Sequence, residues 1–169
     1  TRLRKLVKVA SPLMLRLHDC HEKSDQFNSR AFREAIEIIE SYIFRRSVCD
    51  MQTRSLNQIF ASLAYAIQND DPLTSLKIAL YRSGKKRRFP SDIEFCDALT
   101  TRDVYSMRHH FYLLDRLEND SKEKIDTTSF TVEHVLPQNQ NLGASWREML
   151  GSDWKTIQET WLHRLGNLT

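Results

Sequence analysis

The adjacent residues Glu133 and His134 have the clearest chemical potential in this sequence. They lie in residues 130–138 (FTVEHVLPQ), a segment in which successive side chains are expected to point to alternate faces and whose next-to-last residue is a proline. Adjacent side chains of a strand point to opposite faces, so a neutral imidazole can accept a proton from water while the carboxylate binds a different group. Phosphodiester hydrolysis assisted by a Mg²⁺-like ion needs this division of roles. Asn167, in a strand expected after Gly166, is a candidate for a second oxygen ligand of the ion.

The spacing alone leaves two other interpretations open. A Glu-His pair also arises by chance, and the strand could be purely structural in a non-catalytic helical module that binds DNA or another protein. The third interpretation is a zinc-binding module formed by His18, Cys20 and His21. Their spacing is tighter than in a standard four-ligand zinc site.

The elements that must position the Glu-His pair follow from the pattern. Residues 125–135 (IDTTSFTVEHV) alternate and are rich in β-branched side chains, which predicts a strand. A charged stretch at 118–124 separates this strand from a helical pattern, so we expect a helical domain over residues 1–120 and a second domain over residues 121–169. The helical pattern predicts helices at about 30–48, at 55–68, from Pro72 (with Asp71 as its cap) to a left-handed stop at Gly84, from Ser91 to Leu99, and at 103–118.

Composition narrows the class of protein. Only four glycines and four prolines occur among 169 residues, which disfavours a turn-rich sandwich. The charged share of 28 % and the mean hydropathy of −0.53 argue against a membrane-spanning helix and a membrane partner. Cys20, Cys49 and Cys96 form no metal knuckle, and we expect reduced core thiols of a cytoplasmic protein.

Charge is concentrated in one segment. The net charge of +3 permits nucleic-acid binding without requiring it. Residues 82–88, hereafter the basic loop, carry five positive charges and no negative charge. A solvated loop is one interpretation, and a contact with DNA phosphates is the other. The candidates for that contact are Lys85, Lys86, Arg87 and Arg88.

Two strings resemble a known family. Residues 130–138 (FTVEHVLPQ) and 162–169 (LHRLGNLT) are similar to the C-terminal region of GmrSD-type, modification-dependent (type IV) restriction proteins. The similarity continues upstream through the pattern F-P-S-D-x-x-F at 89–95 and through Arg45-Arg46, 56–61 and 112–118.

The resemblance implies an HNH, or His-Me finger, nuclease built from two strands and a helix around one divalent ion, Mg²⁺ or Mn²⁺. His134 is then the general base, and Glu133 is a metal ligand or supports one. Asn167 either binds the metal or fixes the loop. His163 packs against or orients the site, and Gly166 forms a tight backbone turn.

The resemblance also implies a parent protein that hydrolyses DNA, in particular modified DNA, in restriction or phage defence. A separate N-terminal nucleotide-hydrolysing domain senses the modification and gates cleavage in such proteins. Their pattern continues beyond G-N-L-T with a helix, whereas this sequence stops at Thr169. The expected fold is therefore mainly α, with a helical domain followed by an incomplete ββα-metal finger. Because the finger is incomplete, residues 1–169 by themselves are expected to be inactive even if the parent protein cuts DNA.

Overall fold

The computed structural model describes residues 3, 6–7, 9–52, 54–121 and 123–169. It divides into two compact units, Thr1–Phe95 and Cys96–Thr169. The domains expected from the sequence, 1–120 and 121–169, divide the chain at a different point. Compactness does not define a family domain, so that assignment stays a prediction. Lys122, in the charged stretch at the expected border, lies outside the described residues.

The described residues are mainly helical, as the composition predicts. They form eight α-helices, one 3₁₀ helix and no continuous strand. The α-helices are α1 (Ser11–Lys23), α2 (Ser29–Val48), α3 (Leu56–Ala66), α4 (Pro72–Tyr81), α5 (Asp92–Thr101), α6 (His110–Glu118), α7 (Ala144–Leu150) and α8 (Trp154–Trp161), and the 3₁₀ helix is Leu165–Asn167.

Helices α1 to α4 form the core of the first unit because each has one apolar face. Helix α1 packs against α3, and α4 contacts both α2 and α3. The predicted cap at Asp71 forms, since its carboxylate accepts a hydrogen bond from the Thr74 N–H (3.0 Å) ahead of α4. Helix α2 has a further cap, Asn28, which the sequence pattern did not predict. The centre of the core contains Leu13, Leu17, Ile39, Tyr42, Phe60 and Leu76.

The predicted left-handed stop at Gly84 is wrong. Helix α4 ends at Tyr81, where the Arg82 N–H bonds to two carbonyls of the last turn. Gly84 does not have a positive φ. Its carbonyl instead accepts a hydrogen bond from the Arg87 N–H (2.7 Å), which forms a turn inside the basic loop.

The predicted helix at 103–118 is shorter in the structure, because α6 begins only at His110. The backbone N–H groups of Val104 and Tyr105 both donate to the His163 carbonyl, at 2.8 and 3.2 Å. The segment before His110 forms single turns, closed by bonds from the Met107 N–H to the Val104 carbonyl (3.1 Å) and from the His110 N–H to the Met107 carbonyl (3.2 Å), and not the i→i−4 bonds of an α-helix. The apolar periodicity in this region is real, but tertiary contacts override it.

The predicted strand at 125–135 is also wrong as a continuous element. The Asp126 carboxylate accepts from the Thr128 N–H (3.0 Å), so the side chain competes with strand pairing and starts a turn. Only the end of the segment pairs: Glu133 and Thr169 exchange two backbone hydrogen bonds around the antiparallel bridge between His134 and Leu168. The described residues therefore do not confirm a ββα finger.

Two further expectations can be checked. No helix in the described part of the chain is long and apolar enough to cross a membrane. The three cysteines form no disulfide within the described residues, and Cys20 is buried and Cys49 half-buried, but Cys96 is exposed. The prediction of core thiols is therefore wrong for Cys96, which lies on α5.

Candidate functional site

Asn167 fixes the backbone around the Glu-His pair. It lies at the end of the 3₁₀ helix, not in a strand, and it is buried. Its Oδ1 accepts from the Leu136 N–H (2.6 Å), while its Nδ2 donates to the carbonyls of Leu136 (3.2 Å) and Leu162 (2.7 Å). One amide thus ties the segment that carries His134 to the segment that carries His163.

His134 is held between two polar partners. Its Nε2 lies 3.2 Å from His163 Nδ1, and its Nδ1 lies 2.7 Å from the Gln138 amide nitrogen. Since an amide nitrogen only donates, Nδ1 accepts in this arrangement and Nε2 carries the proton toward His163. The orienting role that the resemblance implies for His163 agrees with this contact.

Tyr105 contacts both imidazoles. Its ring stacks on that of His163, with centroids 5.2 Å apart and planes 12° apart. It meets His134 edge-on at 4.6 Å. The sequence analysis missed Tyr105 and Gln138. Nothing in the sequence marks Tyr105 as a site residue, because it lies in a segment with a helical apolar pattern. Gln138 lies inside the FTVEHVLPQ string, so the sequence could have identified it as a candidate.

The electrostatics favour a neutral His134. Burial lowers the pKa of His134, and neighbouring His163 lowers it further, while Glu133 and Asp103 oppose the shift. Burial by itself would raise the pKa of Asp103, but hydrogen bonds from the N–H and hydroxyl of Ser106 outweigh burial and lower it. At neutral pH the site therefore contains an ionised carboxylate and an imidazole able to accept a proton.

Glu133 is the exposed carboxylate beside this imidazole. Its Oε1 accepts a hydrogen bond from the Thr131 hydroxyl (3.1 Å). Within the described residues, no group of three or more His, Cys, Asp or Glu side chains is arranged around a metal-sized point. Mg²⁺ commonly keeps several waters and takes one or two carboxylates plus substrate phosphate, and an exposed Glu133 fits that mode. Asn167 is buried and its Oδ1 already accepts from the Leu136 N–H, so it is less accessible to an ion than Glu133 is.

Gly166 occupies the tight turn that the resemblance implies, since it lies in the 3₁₀ helix Leu165–Asn167. Its φ is not positive, and a Cβ at this position would meet nothing within 4 Å. The turn therefore does not depend on glycine.

The residues of the zinc interpretation have separate partners. His18 Nε2 lies 3.9 Å from a carboxylate oxygen of Glu22. Buried Cys20 donates to Asn69 Oδ1 (3.7 Å), and His21 Nδ1 lies 2.6 Å from the Phe27 carbonyl. The three side chains do not converge on one point.

The basic loop lies in the first unit. Lys85, Lys86 and Arg87 are exposed and form no ion pair within the described part of the chain. Arg88 differs because its two terminal nitrogens bind the Glu94 carboxylate at 2.5 and 2.6 Å. Three of the four predicted phosphate contacts thus have free cationic groups.

The backbone of the basic loop is anchored from the protein interior. Arg46 is only 2 % exposed, and its guanidinium donates to the carbonyls of Lys86 (3.2 Å) and Arg88 (3.4 Å). Tyr42 donates its hydroxyl to the Arg87 carbonyl (2.7 Å). Burial raises the pKa of Tyr42, so this donor stays protonated. The carbonyls are held inward, which leaves the cationic side chains at the surface.

Comparison with known proteins finds a family similarity in the C-terminal part of the chain. Residues 89–169 match the family described as GmrSD restriction endonucleases, C-terminal domain. The match confirms the resemblance over those residues, and the upstream segments at 45–46 and 56–61 lie outside it. No curated protein and no solved structure matches the chain. The matched region is of restriction-endonuclease type, and such a family acts on DNA.

Proposed function

Since residues 89–169 match the family of GmrSD restriction endonuclease C-terminal domains, we propose that the chain contains the cutting centre of a DNA endonuclease with HNH, or His-Me finger, chemistry. Its substrate is modified phage DNA. The observation that carries the proposal is the environment of His134: a half-buried imidazole with a lowered pKa, held by His163 beside an exposed carboxylate.

In the proposed reaction, His134 accepts a proton from water while the water oxygen attacks phosphorus and the bond from phosphorus to the leaving oxygen breaks. Nδ1 is the ring nitrogen that can accept, so the water replaces Gln138 as its hydrogen-bond partner and His163 stays at Nε2. The other partner and the ring of Tyr105 keep the imidazole oriented. A positioned general base contributes about 10² to 10⁴ in rate.

Glu133 is the side chain that would hold a divalent ion, Mg²⁺ or Mn²⁺. A bound ion would supply positive charge at the scissile phosphate. Thr131 orients the carboxylate through its hydroxyl. Asn167 acts on the backbone, and its contacts support loop fixation over metal binding. Gating by an N-terminal nucleotide-hydrolysing domain belongs to the same proposal.

The test is a cleavage assay of the full-length protein on modified and unmodified phage DNA, with Mg²⁺ and Mn²⁺ titrations. Metal-dependent cutting of the modified DNA supports the proposal. Binding without cutting under all these conditions would favour the non-catalytic helical DNA-binding or protein-interaction module.

We expect Glu133→Ala to reduce cleavage at low Mg²⁺ and to recover part of the loss as Mg²⁺ is raised. A lost ligand weakens ion affinity, and a higher ion concentration compensates by mass action. The measurement is the initial nicking rate against metal concentration. Glu148→Ala, which removes an exposed carboxylate on α7, is the control and should follow the wild-type curve. A Glu133→Ala curve that overlies the wild-type curve would remove Glu133 from the metal site.

We expect the triple variant Lys85→Ala, Lys86→Ala, Arg87→Ala to bind DNA more weakly and with a smaller salt dependence. Each lost phosphate contact should reduce the slope of log affinity against log salt by about 0.9. The measurement is fluorescence anisotropy on duplex DNA at several salt concentrations.

A matched control removes the exposed cations Arg30, Arg33 and Arg54 elsewhere on the first unit. This variant changes the net charge equally but leaves the basic loop intact. Arg88 is kept in both variants because its loss would free Glu94. Equal slopes for the loop variant and the wild type would mean that the loop is only solvated.

A further inference from the structure

A groove of about 510 Å³ lies on the first unit between α2 and α4. Leu80, Tyr81 and Phe89 line its apolar part, and Glu37 and Ser41 line its polar part. Its volume falls in the range of pockets that bind small organic groups, about 300 to 1,000 Å³. The nuclease chemistry proposed above uses none of these side chains.

The groove is continuous with the basic loop through the chain itself. Tyr81 directly precedes residues 82–88, and Phe89 directly follows them. The loop that carries the exposed cations of Lys85, Lys86 and Arg87 therefore begins and ends at the groove. An apolar slot beside unpaired positive charges is complementary to a base joined to a phosphate.

The two aromatic side chains that line the groove, Tyr81 and Phe89, differ in their contacts and exposure. Phe89 is held in place, with its ring centroid 5.6 Å from that of Tyr42 and 5.6 Å from the Arg45 guanidinium carbon. Tyr81 is 90 % exposed and has no ring partner in the described part of the chain. An exposed aromatic ring opposite a fixed one can stack on a planar ligand.

The polar part of the groove presents hydrogen-bond acceptors. Glu34 is neutralised by Lys77, whose ammonium lies 2.6 Å from its carboxylate. Glu37 is exposed and forms no ion pair within the described residues. A carboxylate at this position can accept a hydrogen bond from the exocyclic amino group of a base.

We propose that this groove binds one unpaired nucleobase of a DNA strand while the basic loop holds the adjoining phosphates. Tyr81 stacks on the base, and Glu37 favours bases with an exocyclic amino group. The inference depends on the proposed function only in taking DNA as the ligand. It adds a base-binding subsite in the first unit that is independent of the cutting centre.

The test measures binding of fluorescein-labelled oligo(dC) by anisotropy, using full-length protein that carries His134→Ala to prevent cleavage. Tyr81→Ala should weaken binding about 5- to 100-fold, as expected for a lost stacking contact. Tyr81→Phe keeps the ring and should bind as the parent does. Tyr65→Ala is the matched control, because Tyr65 is 94 % exposed on α3 and does not line the groove.

Salt dependence separates stacking from electrostatics. Tyr81→Ala should lower the affinity without changing the salt slope, whereas the triple loop variant should change the slope. Oligo(dT), which lacks an amino group on its base, should bind more weakly than oligo(dC), and Glu37→Leu should abolish that difference. Fully paired duplex DNA should be insensitive to Tyr81→Ala, and a duplex with one bulged cytosine should be sensitive.

Equal affinities of Tyr81→Ala and Tyr65→Ala for oligo(dC) would overturn the proposal, provided that thermal melts show both variants folded. The outcome is separable from that of the nuclease proposal. A protein that never cuts DNA can still show the Tyr81 dependence. Conversely, a cutting enzyme without that dependence would refute only the groove.

Discussion

Replacing His134 with alanine in the full-length protein should reduce the rate of DNA cleavage about 10²- to 10⁴-fold, the usual contribution of a positioned general base. The lowered pKa of His134 leaves the imidazole neutral at neutral pH, so the change removes a proton acceptor and not a cation that holds phosphate. Binding of DNA should therefore stay near the wild-type level. The measurements are the nicking rate on modified phage DNA and the binding affinity at matched salt.

His18→Ala is the control for this substitution. His18 is an exposed histidine on α1, and its Nε2 lies 3.9 Å from a carboxylate oxygen of Glu22. It should cut at the wild-type rate. If well-folded His134→Ala also cuts at that rate, the cutting centre lies elsewhere, and the interaction-module interpretation gains support.

Replacing Asn167 with alanine should lower the free energy of unfolding by about 2 to 5 kcal/mol. The change removes three hydrogen bonds, and it leaves the buried N–H and carbonyl of Leu136 without their partner. Each unsatisfied buried group costs about 1 to 3 kcal/mol. Urea unfolding followed by circular dichroism measures the change, and exposed Asn57→Ala should have almost no effect.

The variant Asn167→Asp distinguishes the two roles that the resemblance implies. A carboxylate is a good Mg²⁺ ligand, so a metal-binding position should tolerate aspartate. A loop-fixing position should not, because the carboxylate cannot donate to the carbonyls of Leu136 and Leu162. We expect Asn167→Asp to be unstable and its cleavage activity not to recover when Mg²⁺ is added. The activity of Glu133→Ala, by contrast, should partly recover. A stable, active Asn167→Asp would reverse the assignment.

Local sequence rules determined most of the first unit. The predicted helices at 30–48 and 55–68 correspond to α2 and α3, and the cap at Asp71 forms as expected. These features depend on residues three or four positions apart, which a sequence displays directly. The family resemblance of the Glu-His segment could also be recognised from the sequence, because it rests on contiguous strings of residues. The family match confirms that resemblance over residues 89–169.

The sequence did not determine which distant residues form hydrogen bonds with each segment of the backbone. The alternation at 125–135 predicts a strand, but Asp126 folds that segment into a turn and only the residues next to Thr169 pair. The periodicity at 103–118 predicts one helix, but the His163 carbonyl holds the donors of Val104 and Tyr105. Whether a segment forms a strand or starts a helix depends on which group satisfies its backbone, nearby Asp126 in the first case and distant His163 in the second, and the spacing of apolar residues does not contain that information.

The same reason explains which site residues only the tertiary structure decided. Tyr105 reaches the two histidines because its own segment is not helical. Buried Arg46 belongs to an amphipathic helix, yet its charge is satisfied by carbonyls of a loop 40 residues further along the chain. The sequence determined which groups are available for acid-base and phosphate chemistry. The tertiary structure decided which of them meet, because burial and long-range hydrogen bonding select partners across the chain.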